Sequence, residues 1–245
     1  MARDALGARV SSPPRVLVPR ASLEPGREVA LSDEEARHLR VSRVGPGEEV
    51  VLLDGRGVRA AALLSASGRT ASVTGLLPPR GEPARRVAVL LGVGEIARVE
   101  WAVEKGTECG AAAFLLVAAA RSQRAHVAAA AARIERLRRI AAEAVKQCDR
   151  SVVPGVGTPA PLAGLLDGRH GRLLVARPGA SPLRTDGLPA GDLAVAIGPE
   201  GGFDDAEERL LDAAGAVPFG LGGRVLRLET AVVAALVRLV DTPSS

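Results

Sequence analysis

The chain has 245 residues, 47% of them hydrophobic, which suits one large or two modest folded domains and excludes a disordered tail. Aromatic residues make up only 2% and the net charge is +4, so any RNA binding must rely on charge, backbone amides and shape rather than on aromatic stacking. Cys109 and Cys148 lack the spacing of a disulfide framework or a zinc site, and no segment resembles a signal peptide or a membrane span, so we expect a soluble, cytoplasmic protein.

Residues 1–78 are predicted to form a small β-rich domain. Strands are predicted at four apolar or alternating segments, which are residues 15–18, 49–53, 58–64 and 71–77. A helix over Asp33–Val41 is predicted from a capping box, with Ser32 as N-cap and Glu35 three residues later. Several short strands and one helix indicate a small barrel. Residues 1–80 contain 12 Arg and 9 acidic residues, a basic balance compatible with RNA.

Residues 84–245 are predicted to form an α/β domain with a mainly parallel sheet, after a linker at Pro78–Pro83. The run Val87–Val93 is apolar throughout, as expected of a strand buried on both faces. Further strands are predicted at 112–119, 173–176 and 193–197, and helices at 98–109, 133–148, 204–214 and 229–240.

The first of three glycine-bearing loops is Gly92-Val-Gly94-Glu-Ile-Ala97, between a predicted strand and a predicted helix. It has the G-x-G-x-x-A form of the dinucleotide fingerprint, so a Rossmann oxidoreductase that binds NADP is one alternative. The acidic ribose ligand usual at the end of the second strand is missing, which weighs against this interpretation.

The other two loops are stronger candidates for a binding site. In Gly198-Pro-Glu-Gly-Gly202 the glycines permit close approach of a ligand to main-chain amides, although an ordinary turn remains an alternative. In the segment 221–230, Arg224 and Arg227 flank the apolar Val225 and Leu226, and such alternation in a loop favours a site over core packing. The chain has no GK[ST] and no HExxH spacing, so neither a P-loop nor a zinc protease site is predicted.

The chain resembles the ribosomal RNA small subunit methyltransferase E family of the SPOUT class of knotted methyltransferases. The motifs that carry the resemblance are Gly198-Pro-Glu-Gly-Gly-Phe203 and Leu221-Gly-x-Arg-Val-Leu-Arg-x-Glu-Thr-Ala231, supported by Glu100-Trp-x-x-Glu-Lys105 and Glu35-Ala-x-His-Leu-x-Val-x-Arg43. The resemblance implies a PUA-like RNA-binding β-barrel domain at 1–78 and a SPOUT methyltransferase domain with a C-terminal trefoil knot at 84–245. It also implies a homodimer that uses S-adenosyl-L-methionine to methylate N3 of a specific uridine in 16S ribosomal RNA, either as naked RNA or in the assembled small subunit.

The resemblance also implies roles for individual residues. The predicted cofactor-binding residues are Ile197, Gly198, Pro199, Glu200, Gly201, Leu221, Gly222, Gly223, Val225 and Leu226, with Gly223 and Leu228 standing where the family usually has Pro and Thr. Glu229 is a candidate base for the N3 proton, with Arg227 or Arg224 beside the developing negative charge; the alternatives are a helix cap and phosphate contacts. The predicted RNA-binding residues are Arg40, Arg43 and Arg121. Two other functions stay open, namely methylation of a transfer RNA ribose hydroxyl and RNA binding without catalysis.

Overall fold

The computed structural model describes residues 12–18, 23–166, 171–184, 188 and 191–240. The chain divides into two compact units between Pro79 and Arg80, within the predicted linker. Each unit has its own hydrophobic core. In the described part of the chain, no helix is long and apolar enough to cross a bilayer.

The first unit is a five-stranded sheet with one helix. The strands are β1 Arg15–Leu17, β2 Glu28–Ala30, β3 Glu49–Leu53, β4 Arg59–Leu64 and β5 Thr70–Leu77, and the helix is α1 Asp33–Val41. The sheet order is β1-β3-β4-β5-β2, with β1 parallel to β3 and the other neighbours antiparallel. Among the residues described, no pairing joins β1 to β2, so closure into a barrel stays a prediction.

Helix α1 is fixed to this sheet at its start and along one face. The Ser32 hydroxyl accepts a hydrogen bond from the Glu35 backbone amide at 3.2 Å, which confirms the N-cap half of the predicted capping box. The Glu35 carboxylate accepts another from the Leu17 amide of β1 at 3.2 Å. Leu39 is buried in the core with the strands, whereas Arg37 and Arg40 are among the exposed residues of α1.

The second unit is a six-stranded sheet covered by helices. The strands are β6 Val87–Gly92, β7 Ala111–Val117, β8 Gly155–Val156, β9 Arg172–Ala176, β10 Leu193–Ile197 and β11 Val217–Phe219. The helices are α2 Ile96–Glu108, α3 Arg124–Ala132, α4 Ile134–Cys148, α5 Leu162–Leu165, α6 Asp205–Ala213 and α7 Leu228–Leu239. The sheet order is β11-β9-β10-β6-β7-β8 and every neighbouring pair is parallel, which confirms the predicted α/β domain.

Strand β6 lies in the middle of this sheet and is buried on both faces. Val89 and Leu91 pack into one cluster with α2 and α7, whereas Leu90 packs into another with α6. Because alternate side chains of a strand point to opposite faces, two helical layers require an unbroken apolar run, and Val87–Gly92 supplies it.

The start of the second unit is anchored by Glu82. This carboxylate pairs with Arg150 at 2.8 Å and also accepts hydrogen bonds from the backbone amides of Ser151 and Val152, both at 2.8 Å. Arg150 is only 3% exposed and donates further to the carbonyl oxygens of Thr107 and Ala111. Because a buried guanidinium is costly without its carboxylate, Glu82 belongs to the folded unit, and a fragment of residues 84–245 would lack it.

Candidate functional site

A cavity of about 600 Å³ lies at the carboxyl ends of β9, β10 and β11. Ligands of open α/β sheets bind at this edge, and cavities of small-molecule sites have a similar volume. All the predicted cofactor residues line the cavity except Gly223. The two glycine loops that the sequence singled out therefore meet at one place.

The loop after β10 is held in a defined shape. Gly202 has φ +70° and its amide donates to the Pro199 carbonyl oxygen at 2.8 Å, which closes a tight turn. Phe203 then inserts into the core at 5% exposure. Asp204 caps α6 in a reciprocal capping box with Glu207. The turn is thus fixed at both ends, and its backbone is presented to the cavity.

The glycines of the first loop have a packing role. A Cβ on Gly92 would clash with the Pro199 ring and lie 2.6 Å from the Gly198 carbonyl carbon. A Cβ on Gly94 would lie 2.5 Å from the Glu200 carboxylate. The loop after β10 therefore packs directly against the glycines of the fingerprint, with the negatively charged Glu200 beside Gly94. This packing weighs against the alternative of a dinucleotide site at Gly92–Ala97.

Side chains also join the loops that follow β6, β7 and β10. The Ser122 hydroxyl donates to the Val93 carbonyl oxygen at 2.7 Å, and the Ala120 amide donates to the Glu207 carboxylate at 2.9 Å. Arg121, predicted to bind RNA, lines the cavity and donates to the Gly201 carbonyl oxygen at 3.1 Å. These bonds make one rigid edge from three segments distant in sequence.

The loop 221–227 forms the opposite wall. Gly222 has φ +113°, a conformation that L side chains rarely adopt. Leu226 is half-buried against the core, whereas Val225 is 88% exposed. Arg224 and Arg227 both line the cavity, beside the predicted cofactor residues.

Five arginines line the cavity and fall into two groups. Arg177 pairs with Glu208 and Asp212, and these hydrogen bonds, that with Asp212 foremost, raise the pKa of Arg177. Arg98 lies among three glutamates. The other three are Arg121, Arg224 and Arg227, which have no carboxylate partner among the described residues. The side chains of the described residues that line the cavity comprise these five arginines and only two carboxylates, those of Glu200 and Glu208, and this positive balance suits a polyanion.

Glu229 does not line the cavity but lies directly behind it. It is in the first turn of α7, for which Arg227 is the N-cap residue without a side-chain capping bond. One Glu229 oxygen lies 3.4 Å from Arg98 Nη1, and the other, Oε2, is buried and has no hydrogen-bond partner among the described residues. Glu229 is thus connected to the cavity by its ion pair with Arg98, which lines the cavity.

Sequence reasoning missed Arg98 and Arg177. Arg177 directly follows β9, a place where parallel sheets present functional groups. Arg98 lies in the first turn of α2, where the helix dipole disfavours a positive charge. Both residues could have been found from the sequence. Arg177 follows a predicted strand, and Arg98 is a positive charge at a helix start, where it is locally unfavourable.

Arg40 and Arg43 lie in the first unit. Both are exposed, Arg40 in the last turn of α1 and Arg43 just beyond it with φ +58°. Neither forms an ion pair with a described residue. Their predicted RNA contact stays a prediction.

Comparison with known proteins places these features in a family. Residues 81–240 match the RNA methyltransferase domain family, and residues 31–74 match the RNA methyltransferase PUA domain family. The chain is 30% identical over 230 residues to ribosomal RNA small subunit methyltransferase E of Bacillus subtilis, covering 87% of this chain and 90% of that protein. It is 33% identical over 218 residues to the Mycobacterium tuberculosis protein of the same name, covering 83% of this chain and 82% of that one.

Solved structures agree with the sequence relatives. A ribosomal RNA small subunit methyltransferase E from Neisseria gonorrhoeae, crystallised with S-adenosyl methionine, superposes with a TM-score of 0.84 at 30% identity. The superposition covers 91% of this chain and 95% of that one. With its α/β unit, its PUA-like unit and its two motif loops around one cavity, the chain belongs to the ribosomal RNA small subunit methyltransferase E family.

Proposed function

We propose that this protein transfers a methyl group from S-adenosyl-L-methionine to N3 of a specific uridine in 16S ribosomal RNA. One observation carries the proposal: the two loops that bear the family motifs, 198–203 and 221–227, enclose one cavity bordered by arginines without carboxylate partners among the described residues. The proposal includes a C-terminal trefoil knot and a homodimer as the acting form. Its substrate is the RNA or the assembled small subunit.

The cavity fits a nucleoside-containing cofactor. Its walls combine apolar side chains, such as Ile197 and Leu226, with glycine backbone at 198, 201 and 222. Apolar walls suit an adenine ring, and exposed amides can read its ring nitrogens and ribose hydroxyls. When bound, S-adenosyl-L-methionine supplies an electrophilic methyl group on its sulfonium.

The residues around the cavity divide the remaining work between charge and proton transfer. Uracil N3 is a poor nucleophile until it loses its proton, and the negative charge then spreads onto the flanking carbonyl oxygens. Arg227 and Arg224 line the cavity without carboxylate partners in the described chain, so their guanidinium groups are available to stabilise that charge. Glu229 is the candidate acceptor for the N3 proton, but its Oε2 is buried behind the cavity wall, so this role requires that the oxygen become exposed when the substrate binds. Arg121 is assigned to the RNA backbone.

Calorimetry with purified protein tests the cofactor. We expect binding of S-adenosyl-L-methionine and of its demethylated product, and none of NADPH, because the glycines of the fingerprint loop are packed against Pro199 and Glu200. Tight binding of NADPH would contradict the proposal.

Mass spectrometry of nucleosides from treated small-subunit RNA then locates the methyl group. A methyl group on a ribose would support the alternative reaction, and no transfer would support binding without catalysis.

The RNA-binding role of the first unit is tested in the full chain. We expect Arg40→Gln with Arg43→Gln to weaken RNA binding and to reduce the slope of log affinity against log salt by about 0.7–0.9 for each phosphate that is no longer neutralised. The affinity for S-adenosyl-L-methionine should stay the same. Arg69→Gln is the matched control, because Arg69 lies in the same unit but already pairs with Asp33 at 2.7 Å. Equal salt slopes in the double variant and the control would remove Arg40 and Arg43 from the RNA interface.

A further inference from the structure

Arg98 stands where helix formation alone does not favour it. It is in the first turn of α2, where positive charge is unfavourable, and the N-cap residue Glu95 lies three positions before it. Its side chain is 26% exposed and lines the cavity. A partly buried guanidinium in this position needs carboxylate partners to offset its charge.

Those partners are three carboxylates from three separate segments. Arg98 Nε lies 3.4 Å from Glu95, which precedes α2, and 3.5 Å from Glu200 in the loop after β10. Its Nη1 lies 3.4 Å from Glu229 in the first turn of α7. One guanidinium is thus shared among carboxylates at similar distances, and two of them belong to the motif loops or their flanks.

The Glu200 carboxylate can take its position because residue 94 is a glycine and has no side chain there. Its carboxylate occupies the place where a Cβ of Gly94 would be, with 2.5 Å and 2.8 Å to its two oxygens. Glu200 is 48% exposed, so burial alone does not hold it there. Gly94 leaves the room, and Arg98 supplies the charge that draws the carboxylate into it.

We infer that Arg98 is a positioning residue that joins the loop after β10 to the start of α7 and so holds the cofactor cavity in its binding shape. The inference rests on the proposed function, because it assigns this cavity to S-adenosyl-L-methionine. Without the guanidinium, Glu95, Glu200 and Glu229 would face one another as like charges. Glu200 would turn to solvent, and the two walls would lose the side-chain bridge that Arg98 makes between them.

Calorimetric titration of the full chain with S-adenosyl-L-methionine tests this role. Arg98→Gln should raise the dissociation constant, and the KM for the cofactor, on the order of tenfold. Arg98→Lys should recover part of the affinity, since it restores the charge but not the planar fork that spans several carboxylates. If Arg98 only stabilised the fold, Arg98→Gln would lower Tm and leave the dissociation constant unchanged. Equal affinity in Arg98→Gln and the unchanged protein overturns the inference.

A double-mutant cycle tests the bridge itself. Glu200→Gln should weaken cofactor binding less in the Arg98→Gln background than in the unchanged protein, because the pair is already broken there. Strict additivity would overturn the inference. Arg136→Gln is the control, since Arg136 of α4 forms an ion pair with Glu100 of α2 at 2.7 Å and does not line the cavity. The calorimetric dissociation constants, unlike the KM, need no RNA, so they stand apart from the proposed substrate: failure to methylate uridine N3 would refute the proposed function and leave the Arg98 result intact.

Discussion

Gly92→Ala should lower kcat/KM by about a hundredfold, because displacing the cofactor loop by roughly 1 Å is enough for an effect of that size. A Cβ at this position would meet the Pro199 ring and the Gly198 backbone, and backbone cannot yield as the tip of a flexible side chain can. Relief requires moving either β6 or the loop after β10. We also expect a decrease of about 1–3 kcal/mol in the free energy of unfolding, as is usual for overpacking.

Gly155→Ala is the matched control for this variant. Gly155 also lies in a strand of the same sheet, but a Cβ there meets nothing within 4 Å and φ is not positive. Its stability and activity should stay within the range of ordinary surface changes, about 0.5 kcal/mol. Denaturant unfolding and steady-state kinetics on both variants give the comparison. If Gly92→Ala behaved like Gly155→Ala, close packing of the first loop against the cofactor loop would not be a requirement for activity.

The longer elements of the fold were predictable from the sequence because burial imposes a strong pattern on them. Strand β6 and helix α4 are found where the apolar run and the amphipathic period place them, within one or two residues. The elements missed were β2, β8 and β11, which have two or three residues, the single turn α5, and α3. Helix α3 is mostly alanine, so it shows no apolar period, and β11 contains Pro218, which argued against a strand.

The candidate site was predictable in its loops and not in its connections. Glycine loops and arginines alternating with apolar residues are local signals, and all but one of the cofactor positions predicted around them line the cavity. The link between Arg98 and Glu229 joins residues 131 positions apart, and no local pattern reports it. The same holds for Gly92 and Gly94, whose neighbours are at 198–200. The sequence alone does not distinguish a glycine that is needed for close packing from one that is needed for phosphate binding.

The loop 221–227 and the start of α7 should separate chemistry from cofactor binding. We expect Arg227→Ala and Glu229→Gln to lower kcat by about 10²–10³, the usual cost of removing one preorganised charged partner, with cofactor affinity nearly intact. Glutamine retains an oxygen that can accept the Arg98 hydrogen bond, so Glu229→Gln removes charge and basicity more than structure. Single-turnover kinetics and calorimetry on the same preparations measure the two quantities.

Gly222→Val should behave in the opposite way and weaken cofactor binding first. Gly222 lines the cavity at φ +113°, where a branched side chain is strained and its Cβ would enter space that holds no protein atom within 4 Å. Gly223→Val is its control, because Gly223 has neither the positive φ nor a place in the cavity wall.

Should Glu229→Gln keep its kcat and lose only thermal stability, Glu229 serves the first turn of α7, where a carboxylate interacts favourably with the helix dipole. The uridine proton would then leave to solvent or to another group, and the role of Arg227 and Arg224 in stabilising the charge would be unaffected.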